Sequence, residues 1–229
     1  MINLRTILFP TRCTLCGRVG KREEPCKRCK ASARELTGEV CKCCGVLPED
    51  CFCRPLKPFA FERNISAFYY AGGARTLVLR YKERSAPQLA PFMAKRMLRQ
   101  IEGRLEGDFS AITFVPNTMR ATLRRGYSPA RLLAQELSGM LDIPVVEGLA
   151  RNHAPQQKYQ KNAAARWKSA KENYLLRNGA TFFGNVLLVD DVTTTGASLD
   201  ACAALLKKAG AERVYAVTFA ASVKKKKPR

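Results

Sequence analysis

Residues 186–199 read Val-Leu-Leu-Val-Asp-Asp-Val-Thr-Thr-Thr-Gly-Ala-Ser-Leu. An apolar run of this kind is expected to be a buried parallel strand, and α/β sheets bind ligands outside the carboxyl ends of such strands. The turn that follows offers hydroxyls on Thr193, Thr194, Thr195 and Ser198, with Val192, Gly196 and Ala197 completing it. Gly196 lets the backbone turn tightly and approach a ligand. A helix opening at Ala197 would aim its first amides, and the positive end of its dipole, at the same point. Amides, hydroxyls and dipole together form a phosphate cradle. Asp190 and Asp191 cannot share that phosphate, because like charges repel. They need hydroxyl donors or a metal ion. A sugar with a 5-phosphate and unmodified 2- and 3-hydroxyls satisfies both demands. The rival readings are a helix-capping acid pair and the metal-binding acidic cluster of phosphotransfer domains.

The cysteines carry the second chemistry. Nine of the ten lie between Cys13 and Cys53, and only Cys202 stands apart. Cys13-x-x-Cys16 and Cys26-x-x-Cys29 are two knuckles that together supply four thiolates for one tetrahedral zinc. Cys41-x-x-Cys44-Gly45 is a third knuckle and Cys51-x-Cys53 an irregular fourth pair. A second zinc would use Cys41, Cys44, Cys51 and Cys53 and leave Cys43 spare; cross-braced pairings fit the spacing too. Four thiolates leave no open position for substrate, so the zinc is expected to be structural. Disulfides would require an oxidising compartment. The Ile7-Leu8-Phe9 cluster near the start is too short for a signal-peptide core.

Elements that could position these residues follow from the hydrophobic pattern. Residues 1–55 form a cysteine-rich module, and 54–58 read as a linker. Ile65–Tyr70 is predicted as a strand, a helix follows from Gly72-Gly73 to Arg80, and a second helix spans about 87–101. Ala111–Val115 is predicted as a buried strand ending at Pro116, Ser128–Leu141 as a helix and Ile143–Val146 as a short strand. Arg151–Lys171 is polar and basic and is expected to be a mobile excursion with a helix near 163–169; a loop this long inside a compact domain is often a lid. His153, the single histidine, falls in it as a surface residue. A strand at 185–189, a helix at 197–209 and a last strand at 213–220 close the alternation. Strand–helix–strand order argues for a parallel, doubly wound sheet over residues 59–222.

The 186–199 segment is similar to the signature of type I phosphoribosyltransferases. Phe114-Val115-Pro116-Asn117 followed by Arg120, Arg124-Arg125-Gly126-Tyr127 and Leu132-Leu133-Ala134 points the same way. With paired cysteine knuckles in front, the layout resembles the ComF family; Ser128 and Pro129 stand where that family has Asn and Gln. The resemblance implies a type I phosphoribosyltransferase fold, a mostly parallel doubly wound sheet, behind a small amino-terminal zinc-binding module. It implies that Asp190 and Asp191 hold ribose hydroxyls and that Thr193–Ser198 hold the 5-phosphate of phosphoribosyl pyrophosphate. It implies further that the loop after Pro116, with Arg124 and Arg125, neutralises pyrophosphate, and that magnesium binds with that ligand. Gln156, Gln157, Lys158, Arg166 and Lys171 fall where the fold has its hood. Tyr81-Lys82 resembles the family's Lys-Tyr pair in reversed order, with no role assigned. Phosphoribosyl transfer at ribose C1 is the activity implied. A link to DNA uptake is implied too, with single-stranded DNA and competence or recombination proteins as partners; a non-catalytic adaptor for single-stranded DNA is the alternative.

Forty lysines and arginines against 19 acids give a formal net charge of +21, a field that attracts nucleic acid, phosphorylated metabolites or an acidic surface. The tail at 223–229 is predicted to be a solvated basic arm. No apolar run reaches the roughly 18 residues that span a bilayer, so a cytoplasmic protein without membrane insertion is expected.

Overall fold

A computed structural model gives the structure, and it describes residues 11–20, 24–51, 59–105, 107–152, 170 and 172–222. The 54–58 linker, the hood positions Gln156, Gln157, Lys158, Arg166 and Lys171, His153, the helix expected near 163–169, Cys53 and the basic tail lie outside the described residues.

Four strands form one sheet: β1 (Arg63–Tyr69), β2 (Phe109–Phe114), β5 (Asn185–Thr193) and β6 (Arg213–Ala221). All neighbours run parallel, in the order β1-β6-β5-β2. Buried parallel strands must be apolar on both faces, and β5 meets this with Val186, Leu187, Leu188 and Val189 all fully buried. Helices α2 (Gly72–Glu83), α3 (Ala90–Glu102) and α5 (Pro129–Leu141) pack one face. Helix α6 (Ala197–Lys208) covers the other, together with an antiparallel pair, β3 (Leu149–Arg151) and β4 (Tyr174–Leu176). Helix α4 (Met119–Arg125) buries no side chain and sits at the carboxyl edge of the sheet, after β2. The strand expected at 143–146 reduces to a single bridge between Ile112 and Val145. Pro144 there can accept a bond from the Ile112 amide but cannot donate one.

The cysteine-rich segment packs into the same core. Its described residues include a short helix, α1 (Lys27–Ser32), and a 3-10 turn at Pro48–Asp50. Leu15, Leu36, Val40 and Val46 share a buried cluster with Ile65, Leu77 and Phe219. Backbone bonds from Leu36 N–H to the Ala67 carbonyl (2.9 Å) and from Tyr69 N–H to the Arg34 carbonyl (2.9 Å) attach residues 34–36 to the edge of β1. Helix α2 meets the segment closely: a Cβ on Gly73 would lie 2.7 Å from the Cys29 carbonyl oxygen and 2.7 Å from a Leu15 methyl.

Candidate functional site

Side chains alternate along a strand, so the two acids near the end of β5 face opposite sides of the sheet. Asp190 shares the α6 side with Leu188, and Asp191 the α2 side with Val189. Asp190 is half-buried and Asp191 is 3% exposed. Burial, and then the charge of Asp191, push the Asp190 carboxyl well above the ordinary carboxylate range, with Lys82 only partly offsetting them. The pair is therefore short of positive charge. On the α6 side, the neighbours are Cys202, fully buried with its thiol raised by burial and by Asp190, and Tyr174, whose hydroxyl bonds the Ser198 side chain.

Beyond the acids the chain turns as its composition requires. Thr194 is exposed, Thr195 and Ser198 are half-buried, and Thr193 is 4% exposed with a hydroxyl that finds no partner among the described residues. Gly196 takes φ +75°, the left-handed region, as the residue that caps α6. That is where the helix presents its unpaired amides. The loop rests on the cysteine-rich segment: a Cβ on Gly196 would stand 3.7 Å from the Cys43 carbonyl and 3.6 Å from Phe59. Ala60 N–H donates to the Asp200 carboxylate at 2.7 Å, holding that support against the first turn of α6.

A lysine completes the site. Lys82 Nζ lies 2.7 Å from Asp191 Oδ1. Burial opposes the ammonium charge, but the Asp191 and Asp190 carboxylates outweigh it and hold its pKa above the ordinary lysine value. The backbone that carries Lys82 is fastened by the turn after α4. Arg125 Nε donates to the Lys82 carbonyl at 2.8 Å, and the Tyr127 hydroxyl donates to the Tyr81 carbonyl. The Tyr81 hydroxyl, fully buried, donates to the Pro129 carbonyl at 2.9 Å. Thr118 caps the start of α4 by accepting from Ala121 N–H, and Gly126 closes it at φ +82°.

Seven of the described cysteines gather in two groups, the ligand atoms of each within 4.8 Å of one another: Cys13, Cys16, Cys26 and Cys29, and then Cys41, Cys44 and Cys51. Around a zinc with bonds of about 2.3 Å, neighbouring sulfurs are about 3.8 Å apart. The Cys16–Cys26 and Cys44–Cys51 sulfurs stand 3.9 and 3.6 Å apart. Burial disfavours a thiolate at Cys13, yet the Cys16 and Cys26 amides outweigh it and hold that thiol at about 6. Burial first, with Cys41 and Cys51 adding, drives Cys44 up to about 12. Crowded thiols of this kind need a cation to become thiolates together.

A family model described as "Phosphoribosyl transferase domain" matches residues 119–229, from α4 through the β5–α6 turn. "Competence protein F" of Haemophilus influenzae is 38% identical over 95 residues, which is 40% of this chain and 41% of that protein. "Competence protein ComFC" of Bacillus subtilis is 24% identical over 208 residues, 86% of this chain and 84% of that protein. The chain is thus similar to proteins of the ComF family. The match to the Haemophilus relative thus spans less than half of that protein, and the match to the Bacillus relative most of it. Its fold is that of type I phosphoribosyltransferases. Among solved structures, the allosteric regulatory enzyme of purine biosynthesis aligns at 22% identity and a TM-score of 0.40, covering 61% of this chain and 29% of that one. Adenine phosphoribosyltransferase of Leishmania donovani aligns at 16% and 0.37, covering 69% and 60%.

The expected residues fall into three sets. Asp190, Asp191 and Val192 to Ser198 lie together at the carboxyl edge, with buried Pro116 beside them; the Val115 amide bonds the Val189 carbonyl. Arg124 is exposed, while Arg125 is half-buried with its Nε committed to Lys82. Seven of the eight expected metal ligands cluster, and Cys53 lies outside the described residues. The sequence pattern assigns Lys82 no role, yet it touches Asp191. Pro129, at the place of the family's Gln, begins α5, where proline suits the first turn. Ser128 receives a bond from the Asn117 amide at 3.4 Å. A separate cleft of about 600 Å³ opens at the opposite edge of the sheet near Arg63, Arg99 and Arg104. It is away from the acids, and the Arg104 guanidinium there is spent on Leu36 and Gly38 carbonyls.

Proposed function

We propose that the chain binds phosphoribosyl pyrophosphate at the β5–α6 turn and acts as a phosphoribosyltransferase. The observation that carries this reading is the turn itself: two acids at the strand end, an accessible threonine loop, and a left-handed Gly196 opening α6. The 5-phosphate takes the amides of residues 194–198 and the hydroxyls of Thr194, Thr195 and Ser198, and it gives the unpartnered Thr193 hydroxyl an acceptor. Ribose hydroxyls donate to Asp190 and Asp191. In transfer, the C1–oxygen bond to pyrophosphate breaks with its electron pair leaving on pyrophosphate, and the acceptor supplies the pair for the new bond at C1. The flanking cations Arg124 and Arg125 offset the charge of the leaving group. No protein nucleophile is needed. The charge-starved acid pair fits a divalent cation, and magnesium, arriving with the ligand, would supply further neutralisation of the pyrophosphate. The cysteine groups fit zinc: Cys13, Cys16, Cys26 and Cys29 in one site, and Cys41, Cys44 and Cys51 with Cys53 in the other. Closed thiolate shells of that kind are structural.

The test is calorimetric titration with phosphoribosyl pyrophosphate and magnesium. Asp190→Asn with Asp191→Asn is expected to abolish binding while the melting curve stays cooperative; unchanged affinity would refute the assignment. Isotope exchange between pyrophosphate and the activated sugar reports transfer.

A second reading, a non-catalytic adaptor for single-stranded DNA linked to uptake and competence, is supported by the +21 charge and by the relatives' names. Binding of an oligonucleotide that weakens steeply with salt, without any exchange activity, favours it.

A further inference from the structure

The strongest feature left over is Lys82, a side chain from a helix outside the matched phosphoribosyltransferase segment that nonetheless meets the acid pair. We infer that Lys82 is a ligand-contacting cation, its ammonium bridging Asp191 and the pyrophosphate group of bound phosphoribosyl pyrophosphate; the inference rests on the sugar-phosphate reading of the turn.

Three observations carry it. The first is proximity. Asp191, accepting a ribose hydroxyl, already accepts the ammonium at 2.7 Å. Pyrophosphate on C1 is the next substituent to the 2-hydroxyl, so a ligand gripped by its hydroxyls brings its pyrophosphate beside the same carboxylate. The second is capacity. An ammonium has three donors, Asp191 is the partner the described residues give it, and the Lys82 side chain keeps 30% of its surface exposed. The third is mounting. The carbonyls of Tyr81 and Lys82 are held by Tyr127 and Arg125. The end of α2 is thereby fixed to the turn that follows Pro116 and α4, the segment expected to carry pyrophosphate. A lysine built only for stability has little reason for this arrangement, because desolvating an ion pair offsets most of its attraction. Nor can Lys82 withdraw when ligand binds, since Asp191 is nearly buried and would be left uncompensated.

The inference separates two ligands that differ only at C1. Full-length Lys82→Met and Lys82→Gln are titrated with phosphoribosyl pyrophosphate and with ribose 5-phosphate, each with magnesium; the glutamine keeps a donor to Asp191 and serves if the methionine variant does not fold. Loss of a charge-assisted contact is expected to weaken phosphoribosyl pyrophosphate binding by about tenfold to a hundredfold. Ribose 5-phosphate binding should fall much less, by under about threefold in the glutamine variant, whose amide still donates to Asp191. Equal losses for both ligands would make Lys82 a support for Asp191 only and overturn the inference, as would undiminished pyrophosphate binding. Wild-type protein that binds neither ligand would remove the sugar-phosphate reading itself, a distinct result seen before any variant is made.

Discussion

Gly73→Ala sets helix propensity against packing at the joint between the cysteine-rich segment and α2. Alanine in place of glycine near a helix start is worth at most about 1 kcal/mol of stabilisation. Against this, the new methyl would lie 2.7 Å from the Cys29 carbonyl oxygen and 2.7 Å from Leu15 Cδ2. Neither neighbour can easily give. The Cys29 carbonyl accepts bonds from Ala33 N–H (2.9 Å) and from the Ser32 hydroxyl (3.2 Å), and Leu15 is 4% exposed. Overpacking of this kind costs about 1 to 3 kcal/mol, here toward the upper end. The net is a loss of about 1 to 2 kcal/mol, or a Tm lower by about 2 to 8 °C for a chain of this size. Gly139→Ala is the control. Gly139 is exposed in α5 and has nothing within 4 Å of its would-be Cβ, so that variant should gain about 0.5 to 1 kcal/mol and melt higher. Scanning calorimetry on zinc-loaded protein measures both. If Gly73→Ala also melts above wild type, the cysteine-rich segment does not sit on α2 as described, and the shared core fails with it.

Asp190→Asn should stabilise the ligand-free protein at neutral pH while removing ligand binding. The folded-state pKa of Asp190 is raised by burial and by Asp191, so the proton-bound form favours folding, and that stability is lost as pH rises through the folded pKa. The variant has no such loss. Its advantage in Tm should therefore widen with rising pH and close near the ordinary carboxylate value of 3.8; a pH-independent difference would contradict this. Chelation of metal should lower Tm by more than about 10 °C, because Cys13 and Cys29 belong to the main core. It should also weaken sugar-phosphate binding, since the Cys43 carbonyl backs Gly196. Titration calorimetry after removal and after zinc return checks this, and a metal-free protein with unaltered Tm would refute it.

What the sequence discloses and what it conceals differ by how far apart the partners lie along the chain. The acid pair, the threonines and Gly196 are contiguous, so one strand end and one helix start suffice to bring them together. The four cysteines of the first group need only two short knuckles to meet. By contrast, β5 runs past its apolar stretch, because its backbone ladder continues through Asp190 and Asp191 to pair Thr193 with Ala221; side-chain polarity hides a bond pattern made by the main chain. β3 and β4 have only three residues each, too few to show an alternation. α4 has no buried face and thus no apolar stripe to betray it. The Lys82–Asp191 pair is the extreme case. It joins a helix end to a strand end over more than a hundred positions, and the bonds that aim it come from a third place, Arg125 and Tyr127. Nothing local to Tyr81-Lys82 encodes that destination. The Arg-Arg-Gly-Tyr segment, read for its charges, proves to be partly a clamp: Arg125 spends its Nε, and Tyr127 its hydroxyl, on the backbone that delivers the lysine. A motif whose residues hold one another can thus serve a ligand through a side chain that the motif does not contain.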